Sequence, residues 1–403
     1  MRDWLGMQVP ITVAAQRVGT KTGRVLSLDV LRGIAILLVI GRHHFIDPRD
    51  AGLLYVPAAV WQRYGWTGVD LFFVLSGFLV GGLLLKETLE RGELHVPRFW
   101  VRREFKIWPS YYVFLMWVVI KTVITSPQPA GQALASLWPK LWPCLANIQN
   151  YFDTPRLHLW SLAVEEHFYL TLPLVVKWLA PNPVALRRLT LPWVLGGVFV
   201  ASLSLRGWVA LTQPPSDAYL YYTHLRLDSL AFGFLLAYVY YTRRDDWNRI
   251  AQHRRWLIAG GLLAVAPSGV LPPDSAFELS AGLTLLYLGY GALLVACVSA
   301  TEPSSLIART FRSAPARALG FVGFYSYSIY LWHVDLDWPL GAALRNGWGF
   351  RSSTLTWIAG TAVYVALAVL AGVTMAKLVE FPTLRLRDRI YPRRAGAMDI
   401  STG

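Results

Sequence analysis

Residues 31–44 read LRGIAILLVIGRHH, and this stretch combines an apolar core with ionisable side chains at both ends. Only apolar residues and glycine lie between Arg32 and Arg42, which predicts a helix suited to the hydrocarbon of a membrane. A charged group within a membrane is costly and usually faces a protein-lined cavity. The stretch therefore predicts a helix bundle with a polar interior.

The composition extends this prediction to the whole chain. Of 403 residues, 55% are hydrophobic and 15% are charged, against roughly 25% charged residues in an average soluble domain. The mean hydropathy is +0.40. We therefore expect an all-α, polytopic membrane helix bundle. Ten segments are apolar and long enough for a span of about 20 residues: 27–46, 66–85, 108–125, 158–179, 190–211, 221–242, 256–272, 278–300, 318–338 and 355–378.

The positions of the basic residues predict an orientation. With the N-terminus placed in the cytoplasm, the inner connections carry 25 lysines and arginines and the outer connections carry 6. This bias follows the positive-inside rule and places both termini in the cytoplasm. The expected organisation is a cytoplasmic tail over 1–26, a transmembrane domain over 27–382 and a basic cytoplasmic tail over 383–403.

The net charge of +14 does not indicate a nucleic-acid partner, because the basic residues lie in short connections rather than in a stripe on a soluble fold. The two cysteines, Cys144 and Cys297, have neither a disulfide pattern nor metal-ligand spacing, and we expect no metal. The first 26 residues lack the apolar core of a cleavable signal peptide, so the first segment is expected to remain as an anchor.

Helical phase relates the ionisable residues of the first segment to one another. Arg32 and His43 are eleven residues apart, which is about 16 Å and close to three turns, so they share one face. Asp29 joins this face at i−3, whereas His44 points about 100° away. This favours a polar shaft lined by Arg32 and His43. The alternatives are that the two histidines mark the water interface and that Arg32 extends to the headgroups.

Two further stretches carry polar patterns. In LHLWSLAVEEHFYL, residues 157–170, the spacing of His158, Glu165 and Tyr169 places them on one face, and a carboxylate there can support a histidine base or form an ion pair. Arg102, Arg103 and Lys106 are expected just before the third segment. They are either an ordinary basic flank or a phosphate site at a helix N-terminus.

Seven pieces of the chain together resemble the acyltransferase-3 family of integral-membrane acyltransferases. They occur in the family's order over residues 27–382: LDVLRGIAILLVIGRHH, GVDLFFVLSGFLV, FWVRREFKIWPSYY, LWSLAVEEHFYL, RLDSLAFGFLLA, YSYSIYLWH and VEFP. The resemblance implies about ten core helices and transfer of an acyl group, often acetyl, from cytoplasmic acyl-CoA, usually to a hydroxyl of a sugar or other extracytoplasmic molecule. Acyl-CoA is then the donor substrate, and no permanently bound cofactor is implied.

The resemblance also assigns roles to residues. The family's arginine and catalytic histidine correspond to Arg32 and His43, and its donor-binding basic pair falls on Arg103 and Lys106. Lysine replaces the usual second arginine, which keeps the charge but loses bidentate phosphate geometry. The family's glutamate falls on Glu165, with Glu166 adjacent, and its late histidine falls on His333. Further candidates for contact with substrate or the shaft are Asp29, Asp70, Tyr169, Arg226 and Asp228.

These assignments predict a mechanism in which His43 is the general base and Glu165 orients its imidazole. The phosphates of CoA would lie at Arg102, Arg103 and Lys106, and Arg32 would bind the donor or hold the shaft together with Asp29. Transfer through an acyl-histidine intermediate is an alternative. The expected partners are the bilayer of the bacterial inner membrane and a glycan, lipid-linked sugar or secondary-metabolite acceptor. A secondary transporter of a polar or anionic molecule is the alternative from another class, although no inverted repeat is visible.

Overall fold

The computed structural model describes residues 26–44, 46–188, 190–300, 306–347 and 353–391, with the side chains of 306–308 and 337–347 excluded. Within these ranges the chain is helical and contains no strand. Nearly all of the expected N-terminal tail, and residues 392–403 of the expected C-terminal tail, lie outside the described residues. Residues 383–390, which we assigned to that tail, continue the helix that begins at Phe381.

Seventeen α-helices follow one another along the described chain. They are α1 Leu26–Arg42, α2 Tyr55–Tyr64, α3 Gly68–Arg91, α4 Val96–Thr125, α5 Ala130–Leu145, α6 Trp160–Leu179, α7 Pro183–Leu186, α8 Thr190–Thr212, α9 Leu227–Thr242, α10 Arg244–Gln252, α11 Arg254–Val265, α12 Leu283–Val298, α13 Leu306–Phe311, α14 Ala314–Phe324, α15 Ser326–Gly347, α16 Thr354–Met375 and α17 Phe381–Ile390.

Short helices of other types connect them. The 3₁₀-helices are Pro48–Leu54, Gly65–Thr67, Gln149–Tyr151, Leu157–Leu159, Asp217–Leu220, Thr223–Leu225 and Ala266–Gly269. Two π-helical turns, Glu278–Gly282 and Ala376–Glu380, precede α12 and α17.

The helices agree with a multi-pass membrane protein. Each of the ten segments expected from the sequence overlaps at least one α-helix of the structure. Within the described residues, five helical stretches are long and apolar enough to cross a membrane: Pro48–Arg91, Val96–Thr125, Thr190–Thr212, Glu278–Val298 and Thr354–Ile390. Five spans therefore have this support, while the count of ten and the orientation of the termini stay predictions.

Two boundaries differ from the sequence prediction, with consequences for the site. Helix α4 begins at Val96 rather than near residue 108, so the basic run lies within its first three turns. Arginine, glutamate and lysine are good helix formers, which explains this early start. The expected span 318–338 is broken at Tyr325, where α14 ends and α15 begins.

Helix α3 packs most extensively against α9 and also contacts α1, α12 and α6. Glycine permits the approach to α9: a Cβ atom at Gly77 would lie 2.0 Å from the carbonyl oxygen of Leu230, and one at Gly233 would lie 2.2 Å from that of Val74. Helix α3 ends at Gly92, whose φ of 80° is the left-handed conformation common after a helix.

We expect Gly77→Ala to destabilise the protein, because the added methyl group must push two helix backbones apart. Overpacking of this kind costs about 1–3 kcal/mol, which should appear as a lower melting temperature in detergent. Gly197→Ala in α8 is the matched control, since a Cβ atom at Gly197 meets nothing within 4 Å. Equal melting temperatures for the two variants would show that the α3–α9 contact can relax.

Candidate active site

A cavity lies between the helices around α3, and charged or hydroxyl side chains from five helices line it. Its polar lining includes Arg32, Ser76, Arg103, Lys106, Ser161, Glu165, Ser326, Tyr327 and Tyr330. Three cations and one carboxylate thus share a largely apolar space enclosed by residues such as Val69, Phe72 and Phe73. Concave, mostly apolar sites with a few converging polar groups are typical of small-molecule binding.

The cationic side of the cavity is held by specific contacts. Lys106 Nζ donates to Glu380 Oε1 at 3.1 Å, and Ser328 Oγ donates to Glu380 Oε2 at 2.9 Å. The guanidinium carbon of Arg103 lies 4.0 Å from the ring centre of Tyr169. Arg103 and Lys106 are three residues apart and share the cavity face of α4. The cations lie along the helix rather than at its N-terminus, so a helix-dipole phosphate site is not formed there.

Glu165 belongs to this cavity. The hydroxyl of Tyr169 donates to Glu165 Oε2 at 2.9 Å and also contacts Ser76, which confirms the shared face of Glu165 and Tyr169. The described contacts of Glu165 do not include His43. The predicted role of Glu165 in orienting that imidazole is therefore not supported by the geometry, since the carboxylate lies with Arg32 and Arg103.

Glu166 is buried on another side of α6, where Trp108 Nε1 donates to its Oε1 at 3.1 Å. Arg102 is also directed elsewhere. It donates to the carbonyl oxygen of Tyr391 at 2.9 Å and lies 3.4 Å from Asp388 Oδ1 in α17. Neither Glu166 nor Arg102 lines the cavity, so the structure separates them from Glu165 and Arg103, their neighbours in the sequence.

Three histidines cluster beside the cavity. His43 Nδ1 lies 3.2 Å from His333 Nε2, and their ring centres are 5.0 Å apart. His158 lies 6.4 Å from His43 and 5.5 Å from His333 between ring centres. His158 and His333 are buried and His43 is half-buried. His43 therefore faces other parts of the protein rather than lipid.

The partners of these rings define their tautomers when the rings are neutral. His333 Nδ1 lies 2.8 Å from the Tyr330 carbonyl oxygen, which can only accept, so Nδ1 carries the proton and Nε2 the lone pair. His43 Nδ1 lies 3.0 Å from the Val39 carbonyl oxygen and faces His333 Nε2, so it carries the proton of His43. The other nitrogen of His43, Nε2, then holds a lone pair that can accept a proton.

His44 lies on a different face, as the helical phase predicts. Its Nε2 is 2.9 Å from Thr361 Oγ1, and its ring packs against Trp61 and Trp357. The two adjacent histidines therefore have separate environments, and only His43 belongs to the cluster.

Tyr330 lies between the cavity and the histidines. Its ring lines the cavity and is 5.5 Å from His158 and 5.7 Å from His333. Its hydroxyl lies 2.6 Å from Ser161 Oγ and 2.5 Å from the carbonyl oxygen of His158. The continuous shaft predicted from Arg32 to His43 is thus divided, because Arg32 lines the cavity, whereas His43 does not line it and contacts the two histidines that pack on Tyr330.

Three further candidates, Asp70, Arg226 and Asp228, form buried ion pairs and do not line the cavity. Arg226 Nη2 lies 2.7 Å from Asp70 Oδ1, and Arg206 Nη1 lies 2.6 Å from Asp228 Oδ2, with all four side chains at most 2% exposed. These pairs join α3, α8 and α9. Asp29 is buried in the first turn of α1 and is not among the residues that line the cavity.

Sequence reasoning missed several residues of the site. Glu380 was quoted within VEFP without a role, and Tyr330 and Ser161 were not singled out as lining residues. A second missed feature is Asp335, which bonds Trp117 at 2.9 Å, Lys121 at 3.0 Å and Arg156 at 2.7 Å. Arg156 precedes His158 by two residues and Asp335 follows His333 by two, a spacing that could have indicated the contact.

The fold and the site together define a multi-pass membrane protein with a buried polar cavity and an adjoining histidine cluster. The chain belongs to the acyltransferase-3 family of integral-membrane acyltransferases: residues 25–377 match the family model described as an acyltransferase domain.

Relatives of known name agree with this family. The chain is 30% identical over 335 residues to the peptidoglycan O-acetyltransferase OatA of Listeria monocytogenes, covering 77% of this chain and 49% of that protein. It is 28% identical over 326 residues to the O-acetyltransferase OatA of Staphylococcus aureus, covering 77% and 50%. The chain thus spans about half the length of these curated relatives. No solved structure matches it.

We expect the Asp70–Arg226 pair to stabilise the fold rather than to act on substrate. Arg226→Met leaves the Asp70 carboxylate buried without its partner and should cost about 3–5 kcal/mol, whereas Asp70→Asn with Arg226→Met should cost much less. Thermal unfolding in detergent measures both. An Arg226→Met protein that melts like the wild type would contradict this structural role.

Proposed function

We propose that this protein is a membrane O-acetyltransferase that moves an acetyl group from cytoplasmic acetyl-CoA to a hydroxyl of an extracytoplasmic glycan. The observation that carries the proposal is the position of His43, which contacts His333 and His158, the two histidines that pack on Tyr330 in the lining of a cation-bearing cavity. Membership in the acyltransferase-3 family and the names of the relatives support the reaction class.

The cavity provides the donor site in this proposal. Arg103 and Lys106 bind the phosphates of CoA, because both cations line one wall where an elongated anion can contact them together. Arg32 lies on the opposing helix α1 and adds a third positive charge. Glu165 limits the net charge of the cavity and, with Tyr169, holds Arg103 in place.

The acceptor site lies on the other side of Tyr330. His43 is half-buried whereas His158 and His333 are buried, so a hydroxyl group reaches His43 more readily than the other two. The acyl end of the donor meets this hydroxyl when the Tyr330 ring moves aside. The bacterial inner membrane, with the Arg103 side in the cytoplasm, is the location consistent with a CoA donor and the basic inner connections.

The reaction is then a direct acyl transfer. His43 Nε2 takes the proton of the acceptor hydroxyl while the hydroxyl oxygen bonds to the thioester carbonyl carbon. The carbon–sulfur bond breaks, the proton passes to the CoA thiolate, and an ester and free CoA are released. His333 Nε2 accepts from His43 Nδ1, which keeps Nε2 of His43 unprotonated and directed away from the pair.

The name of the Listeria relative, a peptidoglycan O-acetyltransferase, makes peptidoglycan the first acceptor to test. Purified protein in nanodiscs would receive radiolabelled acetyl-CoA with soluble peptidoglycan strands, lipopolysaccharide sugars or exopolysaccharide. We expect one class to become labelled with release of an equal amount of CoA. Release of no CoA with any acceptor, together with movement of a solute across the membrane, would favour a transporter.

We expect His43→Ala to lower the rate of CoA release by about 10²–10⁴-fold, because a positioned general base contributes that much. His44→Gln is the matched control, since His44 contacts Thr361 and tryptophan rings on another face and its replacement should retain activity. Both variants should melt near the wild type. A His43→Ala protein that keeps wild-type turnover would contradict the assignment of the base.

We expect His333→Leu to lower kcat about tenfold or more while leaving KM for acetyl-CoA unchanged, because a positioned base loses part of its 10²–10⁴-fold contribution without its partner. His333→Gln should retain more activity, since its amide oxygen can accept from His43 Nδ1. Equal loss in both variants, with lower melting temperatures, would indicate that His333 serves packing alone.

A further inference from the structure

We propose that the stacked rings of Tyr151, Tyr222 and His224 form a platform that binds a sugar ring of the glycan acceptor. This inference rests on the proposed function, because it specifies how the acceptor is held. We refer to these three residues as the aromatic platform.

The three rings are nearly parallel and mutually close. Tyr151 lies 5.3 Å from Tyr222 with an interplanar angle of 6°, and 5.9 Å from His224 with an angle of 12°. Tyr222 and His224 are 5.7 Å apart at 16°. Tyr151 is 41% exposed and His224 is exposed, so the stack is accessible from outside the bundle.

Hydrogen bonds join the two loops that carry the platform. Asn150 Nδ2 donates to the carbonyl oxygen of Tyr221 at 3.2 Å and to Thr223 Oγ1 at 2.8 Å. His167 Nδ1 lies 2.7 Å from the same Thr223 oxygen. The residues on either side of the platform are thereby fixed to each other and to α6, so the stack is preorganised.

The chemistry of the platform suits a sugar. One face of a pyranose presents C–H groups that pack on an aromatic face, while its hydroxyls need polar partners at the edge, and tyrosine offers both kinds of contact. Tyr151 Oη lies 3.1 Å from His224 Nδ1. Within the described part of the chain, the Tyr222 hydroxyl and His224 Nε2 have no hydrogen-bond partner and remain available to hydroxyl groups.

The platform lies next to the chain segment that carries the histidine cluster. Gln149 Nε2 donates to the carbonyl oxygen of Leu159 at 2.8 Å, which ties the turn of Tyr151 to the turn of His158. Trp160 packs on Tyr221 with ring centres 5.1 Å apart, and the next residue, Ser161, lines the cavity. A sugar on the platform is therefore held by loops that contact the segment between His158 and the cavity-lining Ser161.

A lipid-facing role is the competing explanation, since tyrosines are common at membrane interfaces. Aromatic side chains that anchor a protein at the interface contact the headgroups individually. Their rings therefore do not need to be parallel to one another. The neighbouring exposed pair, Trp142 and Phe152, has such an arrangement, with its rings at 60°. The parallel geometry of the platform and its unpartnered polar edges favour a sugar.

The test is binding of fluorescently labelled soluble peptidoglycan strands to the full chain in nanodiscs, without acetyl-CoA. We expect Tyr151→Ala to weaken binding about fivefold to tenfold, as loss of an aromatic contact does. Tyr151→Phe should largely retain binding because it keeps the ring. Phe152→Ala, which removes an adjacent and equally exposed ring, is the matched control and should bind like the wild type.

His224→Ala is a second variant that should also weaken binding. It tests the proposal even if the Tyr151→Ala protein does not fold. Equal binding by the wild type, Tyr151→Ala and His224→Ala would overturn the proposal. Unchanged binding together with a lower melting temperature in nanodiscs would also overturn it and would identify a lipid contact. Because this binding is measured without acetyl-CoA, it does not require turnover, so a failure of the proposed catalysis is distinguishable from a failure of the platform.

Discussion

An ionisable side chain within a membrane bundle must be satisfied by another part of the same protein, and this requirement organises the structure. Water and its hydrogen bonds are absent from the hydrocarbon, so each unsatisfied polar group costs several kcal/mol. Lys106 forms an ion pair with Glu380, Arg226 forms one with Asp70, and the rings of His43 and His333 are in hydrogen-bond contact. Each contact joins segments distant in sequence, so these polar residues also hold the bundle together.

The sequence predicts what depends on helical periodicity and fails where the partner comes from a distant helix. The shared face of Glu165 and Tyr169 and the divergence of His44 from His43 follow from residue spacing alone, and contacts in the structure agree with both. Spacing cannot show that Glu165 packs with Arg103 rather than His43. The partner of Glu165 depends on how α4 and α6 pack against each other, which is a property of the assembled bundle.

The basic residues of α4 show that the sequence pattern also fails to distinguish the contacts of adjacent residues. Arg102 and Arg103 are adjacent in sequence, and no local pattern separates them. Because successive residues of a helix point about 100° apart, Arg102 contacts α17 while Arg103 reaches the cavity. The sequence prediction placed the helix start twelve residues too late, so this phase could not be applied. The sequence prediction therefore did not separate Arg102 from Arg103.

In the proposed reaction, the ring of Tyr330 separates the donor site in the cavity from the acceptor site at the histidine cluster. Its two hydroxyl contacts, to Ser161 and to the His158 carbonyl, hold the ring between the cavity and the histidines. Breaking both costs about 1–3 kcal/mol at about 0.5–1.5 kcal/mol for each bond. A kcat of about 10 s⁻¹ corresponds to a barrier of about 16 kcal/mol, so this opening need not limit turnover. Water that reaches the half-buried His43 must pass the Tyr330 ring to attack the thioester, as the acceptor hydroxyl does in the transfer. The closed ring therefore protects the thioester from hydrolysis.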